Sequence, residues 1–276
     1  KDFFEAVLKP ASLREGPQSP ETVAAINKAR SFFLPAELAK PATPALLTPP
    51  GRLPGLVDAA WLKDNLGKSG LKVIDLRPQP QYNSGHIPGS FALNLESLRG
   101  NVGGLPSMLL PAPLLAQHLG QMGLTPRDLV VIVAGEAPHD ATLAAMALER
   151  LGHSRYALLS GGMKAWSAAG LPTDKNLPKA SPTRYPAPEG PDGFTVTGIE
   201  VNAAMAGGKA VIIDVRPADY YNGTKSDEAR AGHIPGAVNR PFTDDQADAP
   251  DGSKRLKPEA DLAKAYAALI PSKDHP

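Results

Sequence analysis

Two copies of one text constrain this chain more than any bulk property does. The stretch VIDLRPQPQYNSGHIPGSFALN, residues 73–94, returns at residues 211–242 as VIIDVRPADYYNGTKSDEARAGHIPGAVNRPF. Asp75, Arg77 and Tyr82 recur 139 positions later as Asp214, Arg216 and Tyr221, whereas GHIPG recurs 147 positions later, at 85–89 and 232–236. The second copy therefore carries eight extra residues, TKSDEARA, at 224–231. A period near 140 is too long for a solenoid, whose repeats run roughly 20 to 50 residues, so each copy is expected to be a domain with its own core. A chain of 276 residues agrees with two domains of roughly 150 residues each.

Charge excludes some partners. Lys and Arg number 29 against 28 Asp and Glu, and the basic residues are scattered rather than gathered into a stripe that neutralises phosphates, so no nucleic-acid partner is expected. No apolar run approaches the roughly 20 residues that span a bilayer, so no membrane span is expected and the chain reads as soluble. Lys1 stands where an initiating Met would, which leaves export through a removed leader open beside a cytoplasmic location. There is no cysteine, which removes disulfides, thiolate metal sites and cysteine nucleophiles from these residues.

The chain divides by composition. Residues 1–55 read as an extension, with helix-like DFFEAVL and ETVAAINKARSFFL followed by PAELAKPATPALLTPPGRLPG at 35–55, which holds six prolines and reads as semi-rigid chain lying on the first domain. Its Phe3–Phe4 and Phe32–Leu34 clusters would be costly in water and predict docking on the first domain or on a protein partner. From 56 to 171 short unbroken apolar strands (LKVIDLR, DLVVIVA, RYALLS) alternate with helices (VDAAWLKDNLG, PAPLLAQHLGQMG, DATLAAMALERLG), the pattern of a parallel α/β sheet covered on both faces. Residues 172–193, rich in Pro and in small and charged residues, read as an interdomain linker. Residues 194–276 restart the pattern with GIEVNAAMAGG, KAVIIDVR and PEADLAKAYAALI.

The repeated motif first has a structural reading. An Asp and an Arg flanking one residue at a strand end, Asp75 with Arg77 and Asp214 with Arg216, can tie that end to neighbouring loops through charge-assisted hydrogen bonds. In GHIPG the glycines permit positive φ, and Pro88 and Pro235 hold Ile87 and Ile234 extended. His86 and His233 read as rings bonded to nearby backbone; no cluster with metal-ligand spacing accompanies them, and no metal is predicted.

The two segments DLRPQPQYNSGHIPGSFALN and DVRPADYY…GHIPGAVNRPF, with LGHSRYALLSGGMKAW at 151–166, resemble the rhodanese superfamily of sulfurtransferases in its tandem two-domain form. The resemblance covers roughly residues 56–270. It implies an α/β fold of two rhodanese-like domains, each a parallel sheet flanked by helices. It also implies transfer of a sulfane sulfur from a small donor such as thiosulfate or 3-mercaptopyruvate to a thiol or cyanide acceptor through a cysteine persulfide, with no cofactor. The cysteine of that family lies in the loop after the strand preceding the third helix, where backbone amides and a helix N-terminus lower its pKa.

Here that loop departs from the pattern. In the first copy it reads GEAPHD, residues 135–140, with Gly135 or Glu136 at the place of the nucleophile. His139 and Asp140, with no nucleophile beside them, read as a helix start with Asp140 as N-cap rather than as an acid/base pair. The first domain is therefore expected to be an inactive partner. In the second copy AYAALIPSKDHP closes the chain before the equivalent strand, so the domain is expected to continue past Pro276 with the cysteine. Tandem members often place an Arg just before the motif Tyr to hold the donor anion; Tyr220 occupies that place, leaving Arg230 and Arg240 as weak substrate-binding candidates beside a reading as solvated surface charge. Taken literally, the absence of cysteine favours an alternative, a non-catalytic binding or assembly module on the same fold. Cysteine-dependent phosphatases of similar fold fit worse, since neither Cys nor Arg occurs between 135 and 140.

Overall fold

The computed structural model describes residues 46–135, 138–190, 192–208 and 210–270. The expected helices and apolar clusters of residues 1–34 lie outside the described residues, as do Glu136 and Pro271–Pro276.

The first copy is organised by five strands: β1 (Gly55–Val57), β2 (Leu71–Asp75), β3 (Phe91–Ala92), β6 (Leu129–Val133) and β7 (Tyr156–Leu159). They form one parallel sheet in the order β1-β7-β6-β2-β3. The central strand β6 is LVVIV with every residue fully buried, because both of its faces are covered. Val130 and Ile132 point into a core with Leu115, Leu119 and Leu148, supplied by α3 (Ala112–Gln121) and α4 (Asp140–Arg150). Val131 and Val133 point the other way, into a core with Leu62 of α1 (Ala59–Asn65) and Met163 and Trp166 of α5 (Gly162–Ala168).

Two passages differ from the sequence reading. The Pro-rich extension, read as semi-rigid chain lying on the first domain, ends in an edge strand that the sequence did not show, β1, paired with β7 through Gly55↔Ala157, and its Leu47 accepts a hydrogen bond of 2.6 Å from Arg155. An edge tolerates the flanking prolines because one side of the strand needs no donors. The segment 172–193, read as a linker, is bound along the first copy through its described residues 172–190. His86 and Asp174 exchange backbone hydrogen bonds of 2.9 and 2.8 Å, Trp166 donates to Pro172 O at 2.9 Å, and Tyr185 is buried in the first core.

A short helix α2 (Gln79–Ser84) follows β2, and a β-hairpin of β4 (Arg99–Val102) and β5 (Leu105–Leu109) precedes α3. The second copy repeats these parts in order: α6 (Gly198–Gly207), β8 (Ile213–Asp214), α7 (Ala218–Tyr221), β9 (Val238–Asn239), a hairpin of β10 (Gln246–Asp248) and β11 (Lys254–Leu256), and α8 (Glu259–Ala267). The pairing Ile213↔Val238 and Asp214↔Asn239 reproduces Ile74↔Phe91 and Asp75↔Ala92. Among the described residues β8 has only β9 beside it, and it spans two residues where the sequence KAVIIDVR suggested a longer strand. Without a neighbour on its other side the remaining backbone groups find no ladder. Helix α6 is held by a capping box between Thr197 and Glu200, yet none of its residues is buried, and Ile199 is 82% exposed.

Candidate functional site

The chemistry of the fold gathers where strands end. At the end of β2 the Asp75 carboxylate, fully buried, accepts from the Arg77 backbone and from its guanidinium in a fork, with Nε at 3.0 Å and Nη2 at 2.7 Å. The same Nη2 donates to Gly85 O at 2.8 Å, so one arginine ties the strand end to the start of the GHIPG turn. The His86 ring lies flat on Tyr82, centroids 3.9 Å apart and planes 2° from parallel. Its nitrogens face the carbonyl oxygens of Tyr82 and Asn176 at 3.1 and 3.2 Å. The Tyr82 hydroxyl donates to Ser90 O, and burial raises its pKa.

The second copy builds the same clasp. Arg216 forks onto Asp214 with Nε at 3.0 Å and Nη2 at 2.6 Å, and donates to Gly232 O at 2.7 Å. His233 stacks on Tyr221 at 3.7 Å, and the Tyr221 hydroxyl reaches Ala237 O at 2.7 Å. The eight inserted residues leave this geometry intact because they loop out between Tyr221 and Gly232, tied down by an ion pair of 2.6 Å between Lys225 and Asp219. Hydrogen bonding to the Arg216 side chain lowers the Asp214 pKa. The two clasps differ in cover: the Arg77 side chain is 9% exposed and that of Arg216 is 42% exposed.

After β6, the described residues Gly135 and His139 face the second copy. Gly135 sits at the strand end, where a Cβ would stand 3.3 Å from the Arg77 side chain. Opposite it, Gly162 has φ +55° and approaches so closely that a Cβ would lie 2.4 Å from Ala134 O. The cap of α4 corrects the sequence reading: His139 is the N-cap and Asp140 the first helical residue, with no side-chain capping bond. Thr142 Oγ1 instead donates to His139 O at 2.6 Å. The two half-exposed side chains stand 3.9 Å apart, and the His139 ring packs on Phe242 of the second copy, centroids 4.5 Å apart.

Between these parts lies a largely apolar cavity of about 160 Å³, bounded by Gly135, His139 and Gly161 on one side and by Phe242, Lys254 and Leu256 on the other. Ser253, buried in the β10–β11 hairpin, comes so near Gly161 that a Cβ there would lie 2.6 Å from its Oγ. These second-copy residues were missed in the sequence. The register would have revealed them, because Leu95–Leu98 plus 147 gives Phe242–Asp245, a 3₁₀ turn in both copies.

The two candidate arginines are placed differently. The reading of Arg240 as solvated surface charge is corrected, because its side chain is 15% exposed, bound to Asp245 and 4.8 Å from the Tyr266 ring centroid. Arg230, in the insertion, has no hydrogen bond or ion pair among the described residues and borders a cleft with Arg216 and His233. The neighbouring Asp227 carboxylate raises the pKa of Tyr220. No cluster of three potential metal ligands occurs among the described residues, and no described helix is long and apolar enough to cross a membrane.

The family model described as rhodanese-like domain matches residues 58–169 and 198–276. A protein of Synechococcus elongatus whose name includes the words thiosulfate sulfurtransferase is 32% identical over 261 residues, 91% of this chain and 78% of its own length. The thiosulfate sulfurtransferase of Corynebacterium glutamicum is 29% identical over 79% of this chain and 74% of its own. Among solved structures, SseA from Escherichia coli, described with the rhodanese fold of 3-mercaptopyruvate sulfotransferases, superposes with a TM-score of 0.68 at 27% identity, over 80% of this chain and 86% of that one.

Proposed function

The chain belongs to the rhodanese-like domain family, and from that premise we propose that it moves a sulfane sulfur from thiosulfate or 3-mercaptopyruvate to a thiophilic acceptor, cyanide or a thiol. With thiosulfate, a cysteine thiolate attacks the outer sulfur, the S–S bond of the donor breaks, and sulfite leaves with the electron pair. The acceptor then attacks the terminal sulfur of the persulfide; with cyanide the product is thiocyanate and the thiolate is restored. Residues 1–276 contain no cysteine, and the proposal requires that thiolate at the second copy's counterpart of the loop following Gly135.

In this reading residues 56–171 are the silent partner domain, 172–193 the joining segment, and 194–276 belong to the domain that carries the thiol. Residues 1–55 are the extension. The observation that carries the proposal is the twin clasp: the second copy keeps Asp214, Arg216, Tyr221 and His233 in the arrangement of the first, around an insertion that brings Arg230 to the same end of the sheet. Arg230 is the residue we assign to the donor anion, as the arginine of that cleft whose guanidinium is not taken by Asp214.

The test is thiocyanate formation from thiosulfate and cyanide, and pyruvate formation from 3-mercaptopyruvate, by the full-length protein. Saturable turnover that alkylation of thiols abolishes is the expected result. Absence of both products with fully reduced protein would sink the proposal. Arg230→Ala should raise the donor KM by roughly tenfold, the scale of one charge-assisted hydrogen bond, with the urea midpoint unchanged.

A further inference from the structure

The segment joining the two copies is fastened to the first at three places. Asp174 and Asn176 hold one end against His86, and Arg150 holds the other through Asp192 Oδ2 at 2.6 Å and Thr195 Oγ1 at 2.8 Å. In the middle, the Thr183 amide donates to Gly120 O at 2.9 Å, its hydroxyl donates to Leu124 O, and the Tyr185 ring enters the first core beside Leu119 and Leu124. The close approach requires glycine: a Cβ on Gly120 would lie 2.6 Å from Thr183 O.

We propose that His153 and Tyr185 form a proton-operated latch, closed while the imidazole is neutral, which releases the middle of the joining segment on acidification. His153 follows α4 and is 3% exposed. Its Nε2 stands 3.0 Å from the Arg155 carbonyl oxygen, which can only accept, so Nε2 carries the proton and donates. Nδ1 is then the acceptor for the Tyr185 hydroxyl at 2.7 Å. Protonation of Nδ1 turns that acceptor into a donor. The Tyr185 hydroxyl would have to turn its own proton away, and it has no second acceptor among the described residues. Either the bond is lost or a buried hydroxyl proton goes unpaired, and both loosen the ring from its seat.

The groups facing the imidazole are few. Asp128, on the turn before β6, favours protonation of the ring through its charge and its backbone carbonyl, and its carboxylate accepts from Thr125 N at 2.7 Å and Thr125 Oγ1 at 3.0 Å. Arg155, on the turn before β7, opposes protonation by its charge and favours it through its carbonyl, while its guanidinium donates to Arg127 O and Leu47 O. Burial is the largest influence and holds the ring below its ordinary 6.5. An unlatched, solvated imidazole therefore takes up the proton more readily than the latched one. The latch is fully closed above about 6.5 and weakens as the pH falls below it. The outer anchors are built from other residues, so what opens is the middle of the stretch between Asn176 and Asp192. The latch operates whether or not the chain transfers sulfur.

The experiment is amide hydrogen exchange of Thr183, Arg184 and Tyr185, corrected for intrinsic rates, from about pH 7.5 to about pH 5, alongside an NMR titration of the His153 ring. Protection should fall at least about tenfold, following the ring's titration. Tyr185→Phe should lower protection already at the upper pH and flatten the dependence, while His118→Gln, altering the half-buried histidine on α3, should leave the dependence in place. Constant protection in the unaltered protein, or a pH dependence that survives in Tyr185→Phe, overturns the latch.

Discussion

Arg77→Ala should destabilise the protein far more than Arg216→Ala, although the two arginines make the same bonds. Asp75 is fully buried and receives Arg77 through Nε at 3.0 Å and Nη2 at 2.7 Å. Truncating Arg77 leaves a desolvated carboxylate with one remaining donor, the Arg77 backbone amide, and leaves Gly85 O without its side-chain partner. Breaking one side of a buried pair costs about 3–5 kcal/mol, because the abandoned charge stays out of water. For a domain with a total stability of roughly 5–15 kcal/mol that is a large share. Arg216 is 42% exposed, so its loss admits water to Asp214 and should move the midpoint little. Urea unfolding followed by tryptophan fluorescence reads the first copy, since both tryptophans, Trp61 and Trp166, lie there, and far-UV circular dichroism reads the whole chain. Arg77→Lys is a useful companion, because an ammonium cannot reproduce the fork and should recover only part of the loss. A cost below about 1 kcal/mol for Arg77→Ala, the level of a surface pair, would refute the argument from burial.

Gly162→Ala should lower the unfolding midpoint markedly, since φ is +55° and the new methyl would meet Ala134 O at 2.4 Å; an unchanged thermal transition would contradict that geometry. Burial raises the Tyr185 pKa to about 12, with the nearby Asp128 charge adding to it, so the folded state keeps a proton that the unfolded chain releases near 10. Stability should therefore hold below pH 10 and decline between 10 and 12, and Tyr185→Phe should flatten the decline in urea midpoints measured across that range. Leu148→Ala, in the core between α4 and the sheet, should cost about 2–5 kcal/mol by the same urea assay, and a loss under about 1 kcal/mol would show that the core can collapse around the gap.

Much of the first copy was legible because its signals are local. The run LVVIV could only be a strand buried on both faces, and the 3.6-residue spacing of α3 and α4 supplied the covers. The hairpins were missed because β5 contains Pro106 and β4 contains Gly100, residues that weaken a strand reading; yet Gly103 and Gly104, both at positive φ, are the signature of a tight hairpin turn and stood in plain view. Edge strand β1 was hidden among prolines, since three residues carry no periodicity. The fate of 172–190 was not legible at all. Its composition is that of a linker, and only the close approach that Gly120 of α3 allows shows why Thr183 and Tyr185 settle there.

The order of letters alone establishes the repetition, the eight-residue insertion and the pairing of an acid with a guanidinium at each strand end, because these are relations between neighbours along the chain. Whether such a pair is sealed from water, as Asp75 with Arg77 is, or partly open, as Asp214 with Arg216 is, depends on what distant strands and helices cover it. Burial is a property of the packed assembly, and it sets what each identical motif contributes.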